Sequence, residues 1–204
     1  MAAHPDVPLR EDDLHKDPLA QFRRWFEEAR YASGYEAEAM ALATTTPDGR
    51  PSLRMVLAKA MDERGIAFFT NYGSRKAREL EANPRAALLF HWVPLGRQVR
   101  IEGNLSRVSR EETEAYATRR ARESQLSALA SPQSRVVPGR EWLERRVAEL
   151  AGEHPDEVPV SEEWGGYRLV PESWEFWQHR ANRLHDRFAY SPEGPGWRIE
   201  RLAP

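Results

Sequence analysis

An antiparallel β-barrel with helical insertions is the fold class that this sequence predicts, and three observations point to it. Between residues 39 and 108 the apolar residues fall in short runs separated by turn-forming residues, at the spacing of hairpins. The same strand texture returns over 164–204. Strands and helical stretches do not alternate in the regular way that a doubly wound parallel sheet requires.

Taken in order, the first sixteen residues are polar and proline-bearing, and the sequence predicts a mobile arm over 1–16 followed by a single domain over 17–204. Asp17 can cap a helix and Pro18 suits its first position, after which Leu19, Phe22, Phe26 and Ala29 recur at helical spacing. A strand is expected over 40–46, a tight turn at Pro47-Asp48-Gly49-Arg50, and the hairpin partner over 51–60. Further strands are expected over 65–70, 86–92 and 98–108. Between the first two of these lies a short helix over 74–84, with Ser74 as cap and Asn83-Pro84 as stop. Its first turn carries Arg75 and Lys76, which oppose the helix dipole unless an anion sits between them. Ser109 and Glu112 have the spacing of a capping box. The helix it opens is expected to carry Tyr116, Arg120 and Ser124 at successive intervals of four on one face, where a phenol, a guanidinium and a hydroxyl can all donate to one phosphate. A solvated amphipathic surface has the same spacing. A second helical stretch over 141–151 places Leu143, Val147 and Leu150 at core spacing, a loop follows over 152–159, and 191–196 is a turn within the final strand region.

Composition narrows the function classes. The 30 basic and 32 acidic residues nearly cancel, so no overall field would draw the chain to nucleic acid or to an anionic membrane. With no cysteine, disulfides, thiolate nucleophiles and cysteine-ligated metals are excluded. No stretch has the length and apolarity of a membrane span, nothing at the start resembles a signal peptide, and a soluble cytoplasmic protein is expected.

Motifs for nucleotide-phosphate loops, dinucleotide folds, zinc proteases and hydrolase elbows are absent, and the six histidines are scattered. What remains is a set of anion-binding candidates: Arg54 and Lys59 on one strand, where strict alternation places them on opposite faces; Arg75 and Lys76; Arg120; and the segment Arg183-Leu184-His185-Asp186-Arg187. If that segment is extended, Arg183, His185 and Arg187 share a face, and their mutual repulsion calls for a solvated edge or an anionic ligand. Gln98, Gln133 and Ser134 add neutral donors and acceptors suited to the edge of an imide-like ring. The residue chemistry points to a phosphorylated planar ligand without naming it.

The order of these blocks resembles the pyridoxine/pyridoxamine 5′-phosphate oxidase family from residue 17 to residue 204. The resemblance rests on Arg54-Met55-Val56-Leu57-Ala58-Lys59, Phe68-Phe69-Thr70-Asn71-Tyr72 with Ser74-Arg75-Lys76, Gly96-Arg97-Gln98, Ser124-Gln125-Leu126, Ser131-Pro132-Gln133-Ser134, Trp164-Gly165-Gly166-Tyr167-Arg168, Glu175-Phe176-Trp177-Gln178, Arg183-Leu184-His185-Asp186-Arg187 and Arg201-Leu202-Ala203-Pro204. It implies an antiparallel split β-barrel that binds FMN at the interface of a homodimer, with 164–204 completing the active site. It further implies oxidation of B6 phosphates to pyridoxal 5′-phosphate, with O2 consumed and H2O2 formed. Carried over by motif, Arg54, Met55, Val56, Leu57, Phe69, Thr70, Arg75, Lys76, Gln98, Gln133, Ser134, Trp177 and Arg187 would contact FMN. Lys59, Tyr116, Arg120 and Ser124 would hold the substrate phosphate. Arg183, Leu184 and His185 would lie at the substrate ring, with Arg183 orienting it and His185 hydrogen-bonded to it. Two departures stand out: Phe69 where relatives carry tyrosine, and His179-Arg180 where they carry glycine. A phenazine-pathway oxidase on the same scaffold, or a non-catalytic flavin or pyridoxal phosphate carrier, are the alternative readings.

Overall fold

The computed structural model describes residues 6–204, and the first five positions of the expected arm lie outside it. Its strands are β1 (Ala39–Thr45), β2 (Pro51–Leu57), β3 (Ala60–Asp62), β4 (Gly65–Asn71), β5 (Arg85–Trp92), β6 (Arg97–Arg107), β7 (Trp164–Gln178), β8 (Asp186–Glu193) and β9 (Gly196–Arg201). Its α-helices are α1 (Pro18–Ser33), α2 (Arg75–Ala82), α3 (Arg110–Ala117), α4 (Arg122–Ala130) and α5 (Arg140–Glu153). All strand pairs are antiparallel, in the order β2-β1-β5-β6-β7-β4-β3, with β8 on β7 and β9 on β8. The expected class, a mainly β half-barrel with peripheral helices, is the one observed.

β7 organises this sheet. Its first residues, from Trp164 to Leu169, pair with β4, its last, from Trp174 to Gln178, pair with β8, and β6 runs beside both parts. The β6–β7 register slips between Glu102 and Gly103, a bulge that bends the long strand. Gly103 faces β7 so closely there that a Cβ would stand 2.0 Å from the Val170 carbonyl oxygen.

Helix α1 plugs the barrel. Asp17 accepts from the backbone N–H groups of Leu19 and Ala20, as its position before Pro18 led us to expect. The buried stripe is Phe22, Trp25, Phe26 and Ala29, so Trp25 joins the expected set. Phe22 meets Phe90 at 5.0 Å and Trp174 at 5.6 Å, and Trp25 meets Phe176 edge-on at 5.3 Å. Truncating one such ring to alanine costs about 3–5 kcal/mol.

Three expectations are corrected by the structure. The hairpin partner expected over 51–60 ends at Leu57, because Ala58 still donates to Glu38 while Lys59 already donates to Ala67; the chain changes partner strand there and β3 is separate. The single helix expected to carry Tyr116, Arg120 and Ser124 breaks after Ala117, where the Thr118 hydroxyl donates back to the Glu114 carbonyl and Ala121 is extended. Helix α5 runs two residues beyond its expected end. The described part of the expected arm, 6–16, lies against the last strands: Leu9 is buried, its N–H donates to Asp186 at 3.0 Å, and Tyr190 donates to the His15 carbonyl at 2.9 Å. Among the described residues no helix is long and apolar enough to cross a membrane.

Gly103→Ala should lower the unfolding free energy by about 2–4 kcal/mol, since the clash is with backbone that cannot rotate away. Urea denaturation checks this, and a loss well under 1 kcal/mol would show that the bulge can relax.

Candidate active site

The donors singled out in the sequence gather into two groups. The first surrounds a cavity of about 920 Å³ between β2, β4 and the helices, with Met55, Val56, Leu57, Lys59, Phe69, Thr70, Lys76, Tyr116, Arg120, Ser124 and Gln133 in its wall. Strand β4 delivers Thr70 beside the first turn of α2, which is capped by the Ser74 hydroxyl accepting from Ala77. Lys76 Nζ donates to Thr70 Oγ1 at 3.0 Å and to Gln133 Oε1 at 2.7 Å. Ser134, at φ 71°, accepts from the Arg75 N–H at 3.2 Å. The loop after α4 is thus latched onto the start of α2, and Thr70, Arg75, Lys76, Gln133 and Ser134 come together as one donor-rich corner. Burial, reinforced by the Arg54 charge, pushes the Lys76 ammonium down to about 8. An ammonium so depressed beside two arginines at a helix N-terminus suits a phosphate dianion, which would restore its charge.

Arg54 and Arg75 are held from behind. Both donate to Glu79, Arg75 Nε to Oε1 at 2.7 Å and Arg54 to Oε2 at 3.2 Å. Thr44 and Ser52 also donate to Oε2, each at 2.5 Å. Burial raises the Glu79 pKa, but the hydroxyls of Ser52 and Thr44 and the two guanidinium groups outweigh it and hold the carboxyl at about 2. Glu79 was not among the sequence candidates, although its place four residues after Arg75 on a helix is a readable signal. Arg54 itself is turned toward Glu79 and not into the cavity wall. The expected opposition of Arg54 and Lys59 across one strand lapses because Lys59 lies beyond the end of β2; its Nζ pairs with Glu38 at 2.6 Å.

The far wall is aromatic. Phe69 stacks on Tyr116 at 4.0 Å and 17°, and on Trp164 at 5.5 Å, with the Arg120 guanidinium 4.9 Å over the Trp164 ring. A phenylalanine at position 69 completes this stack without a hydroxyl. Although their helix is broken, Tyr116, Arg120 and Ser124 still line one cavity, because the Gln125 amide donates to the Arg120 carbonyl at 2.8 Å and ties the break together. Leu143 and Val147, expected as core, line the same cavity from α5, which also brings Arg140 and Glu144.

The second group lies at the other end of β7. Gln98, Trp177 and Arg187 are in direct register across β6, β7 and β8. His185 packs against Trp177 at 4.6 Å. Arg187 Nε donates to buried Glu175 at 2.8 Å and its Nη1 to the Ala203 carbonyl at 2.7 Å, so the C-terminal residues brace it. The extended run expected from Arg183 to Arg187 is corrected: β8 begins only at Asp186, and Arg183 sits in a turn at φ 64°. Arg183 and Leu184 are exposed, and the turn removes the single cationic face that alternation would have made. Burial, then the positive fields of His179 and Arg183, lower the His185 pKa against the opposing pull of Asp186, favouring a neutral imidazole.

Trp164 of the first group and Trp177 of the second are 13 positions apart on one strand, or up to roughly 40 Å at about 3.3 Å per residue. None of Gln98, Ser134, Trp177, Arg183, Leu184, His185 or Arg187 lines the cavity. One chain therefore does not close its two groups around a common ligand.

Sheet order, half-barrel closure and the position of the cavity define a protein of the split-barrel class. A structure from Nostoc punctiforme, described as a pyridoxamine 5′-phosphate oxidase-related, FMN binding protein, shares this fold with a TM-score of 0.75 at 18% identity, covering 94% of this chain and all of that one. Residues 26–153 match the family model for pyridoxamine 5′-phosphate oxidase, and 164–204 match the pyridoxine 5′-phosphate oxidase C-terminal dimerisation region. The pyridoxine/pyridoxamine 5′-phosphate oxidase of Rubrobacter xylanophilus is 59% identical over 96% of this chain and 91% of its own length. That of Cupriavidus pinatubonensis is 55% identical over 96% and 93%. PhzG from Burkholderia lata, solved with tetrahydrophenazine-1-carboxylic acid, superposes with a TM-score of 0.91 at 35% identity over 98% of both chains. The chain belongs to the pyridoxine/pyridoxamine 5′-phosphate oxidase family, a family of oxidoreductases.

The depressed Glu79 carboxyl gives a pH test. Its stabilising contribution is full above the ordinary carboxyl value of 4.5 and is lost as pH falls toward about 2. The stability gap between the unaltered protein and Glu79→Gln should therefore narrow across that window in urea titrations. A gap independent of pH would mean that Glu79 is not ionised in the fold.

Proposed function

We propose that the protein oxidises pyridoxine 5′-phosphate and pyridoxamine 5′-phosphate to pyridoxal 5′-phosphate, with FMN bound between two copies of the chain. The observation that carries this reading is the separation of the two donor groups along β7. A homodimer that sets the Gln98–Trp177–Arg187 end of one chain against the Thr70–Lys76–Gln133 corner of its partner gives a flat ring both a phosphate clamp and an edge of hydrogen-bonding groups. The match of 164–204 to a dimerisation region supports that arrangement.

When bound, FMN would supply the two-electron chemistry with O2, reduced to H2O2, as the final acceptor; for the amine substrate water would supply the aldehyde oxygen and the nitrogen would leave as ammonia. The protein's part is binding and orientation. Arg75 and Lys76 neutralise the flavin phosphate, helped by Arg54, while Thr70, Gln133 and Ser134 add neutral hydrogen bonds. Lys59, Tyr116, Arg120 and Ser124, each in the wall of the same cavity, take the substrate phosphate. Arg183 and His185 meet the pyridine ring, Arg183 by charge and His185 by a hydrogen bond. Phosphate-directed residues in the cavity favour a B6 phosphate over the phenazine carboxylate bound by PhzG.

Yellow colour in the purified protein and peroxide release with either B6 phosphate test the reading. A colourless protein that stays inactive with added FMN, or one that oxidises tetrahydrophenazine-1-carboxylic acid in preference, would replace it. Arg183→Ala should lower kcat/KM by about 100-fold with FMN still bound; unchanged efficiency would remove Arg183 from the site.

Lys76→Ala should weaken FMN by about tenfold or more in apoprotein titrations. Bound phosphate raises the Lys76 pKa, so affinity in the unaltered protein is full below about 8 and falls as pH rises through that value. The variant should lack this alkaline limb, and an identical pH profile in both would reject the contact.

A further inference from the structure

His179 stands where the family resemblance leads one to expect glycine, and the contacts of its neighbour Arg180 give that residue a purpose. Its side chain lies between two carboxylates, with Nε donating to Asp6 at 2.7 Å and Nη1 to Asp186 at 3.3 Å. The Asp6 arm is solvent-exposed and is worth little by itself. Asp186 is the firmer anchor. It is buried at the start of β8 and also accepts from the Leu9 N–H at 3.0 Å and from Arg201 at 2.7 Å.

The backbone of Arg180 touches both residues assigned to the substrate ring. Its carbonyl accepts from the Arg183 N–H at 3.2 Å, closing the turn in which Arg183 adopts its positive φ. Its own N–H donates to Nδ1 of His185 at 3.0 Å. A backbone N–H can only donate, so Nδ1 must present its lone pair and the imidazole proton must reside on Nε2. Nε2 is then the ring nitrogen left to donate to a ligand.

We propose that Arg180 is a positioning residue. Clamped by Asp186 and Asp6, it closes the 180–183 turn beneath Arg183 and fixes His185 as the Nε2–H tautomer, so that both side chains meet the substrate ring in one arrangement. The inference rests on the proposed role of Arg183 and His185, but its first readout does not depend on turnover. The strained turn explains why a clamp is needed. A non-glycine residue at positive φ is strained and persists only where its surroundings over-determine it.

The test uses the full-length protein, Arg180→Ala and Arg180→Lys, with ring ¹⁵N NMR of His185 assigned by comparison with His185→Gln. The unaltered protein should show an unprotonated Nδ1 and a protonated Nε2. In Arg180→Ala, which keeps the backbone N–H but frees it from the clamp, the two nitrogens should average toward a tautomer mixture. kcat/KM for B6 phosphates should fall roughly tenfold at unchanged FMN affinity, and Arg180→Lys, which can still reach Asp186, should recover part of both. A His185 spectrum and kinetics unaltered in Arg180→Ala would overturn the proposal. So would parallel losses of thermal stability and FMN affinity with the tautomer intact, which mark a general structural role. If the unaltered protein oxidises no B6 phosphate, the functional reading fails separately and the NMR result alone decides whether Arg180 sets the tautomer.

Discussion

The length of one strand governs the rest of this structure. A fifteen-residue β7 gives β6 a continuous partner, carries β4 on its first half and β8 on its second, and so joins two half-sheets that could not otherwise share a core. The same length puts the two clusters of polar residues at its opposite ends. A strand cannot fold back on itself, so within one chain the two clusters stay apart.

Charge is handled by a repeated device. Three of the cations that the sequence offers for anion binding are held by buried carboxylates: Glu79 takes Arg54 and Arg75, and Glu175 takes Arg187 together with Arg100, while buried Asp186 takes Arg180 and Arg201 in the same way. Each pairing lowers the repulsion between clustered guanidinium groups and fixes their direction. Each guanidinium has five N–H groups, and several of those not aimed at a carboxylate brace the fold, as Arg187 does on the Ala203 carbonyl and Arg54 on the Leu42 carbonyl. Lys76 is built differently. Its partners are the neutral Thr70 and Gln133, and burial depresses its charge, which an arriving dianion would restore.

The terminal segments belong to this scheme. Leu9 donates to Asp186, and Arg201 donates both to Asp186 and to Glu11, so the two segments meet at the residue between His185 and Arg187. A single buried carboxyl therefore ties both ends of the described chain to the loop that carries the expected substrate contacts.

Hairpin spacing, capping residues and helical periodicity were legible in the sequence because they depend on contacts a few residues apart: Asp17, Ser74 and Ser109 cap as their positions imply. The donors around α2 were legible too, since cations at a helix start call for an anion. The family was readable from the order of its motifs. Tertiary structure alone decided which strand follows which in the sheet, the change of partner at Ala58, and the pairing of Glu175 with Arg187 across a register no local pattern encodes. It also decided that Arg183 turns instead of extending, and that Tyr116, Arg120 and Ser124 face one cavity across a broken helix. Local sequence determines the conformations that short-range sterics and hydrogen bonds can close. Which distant side chains become neighbours depends on how strands pair and helices pack, and that is where the site is made.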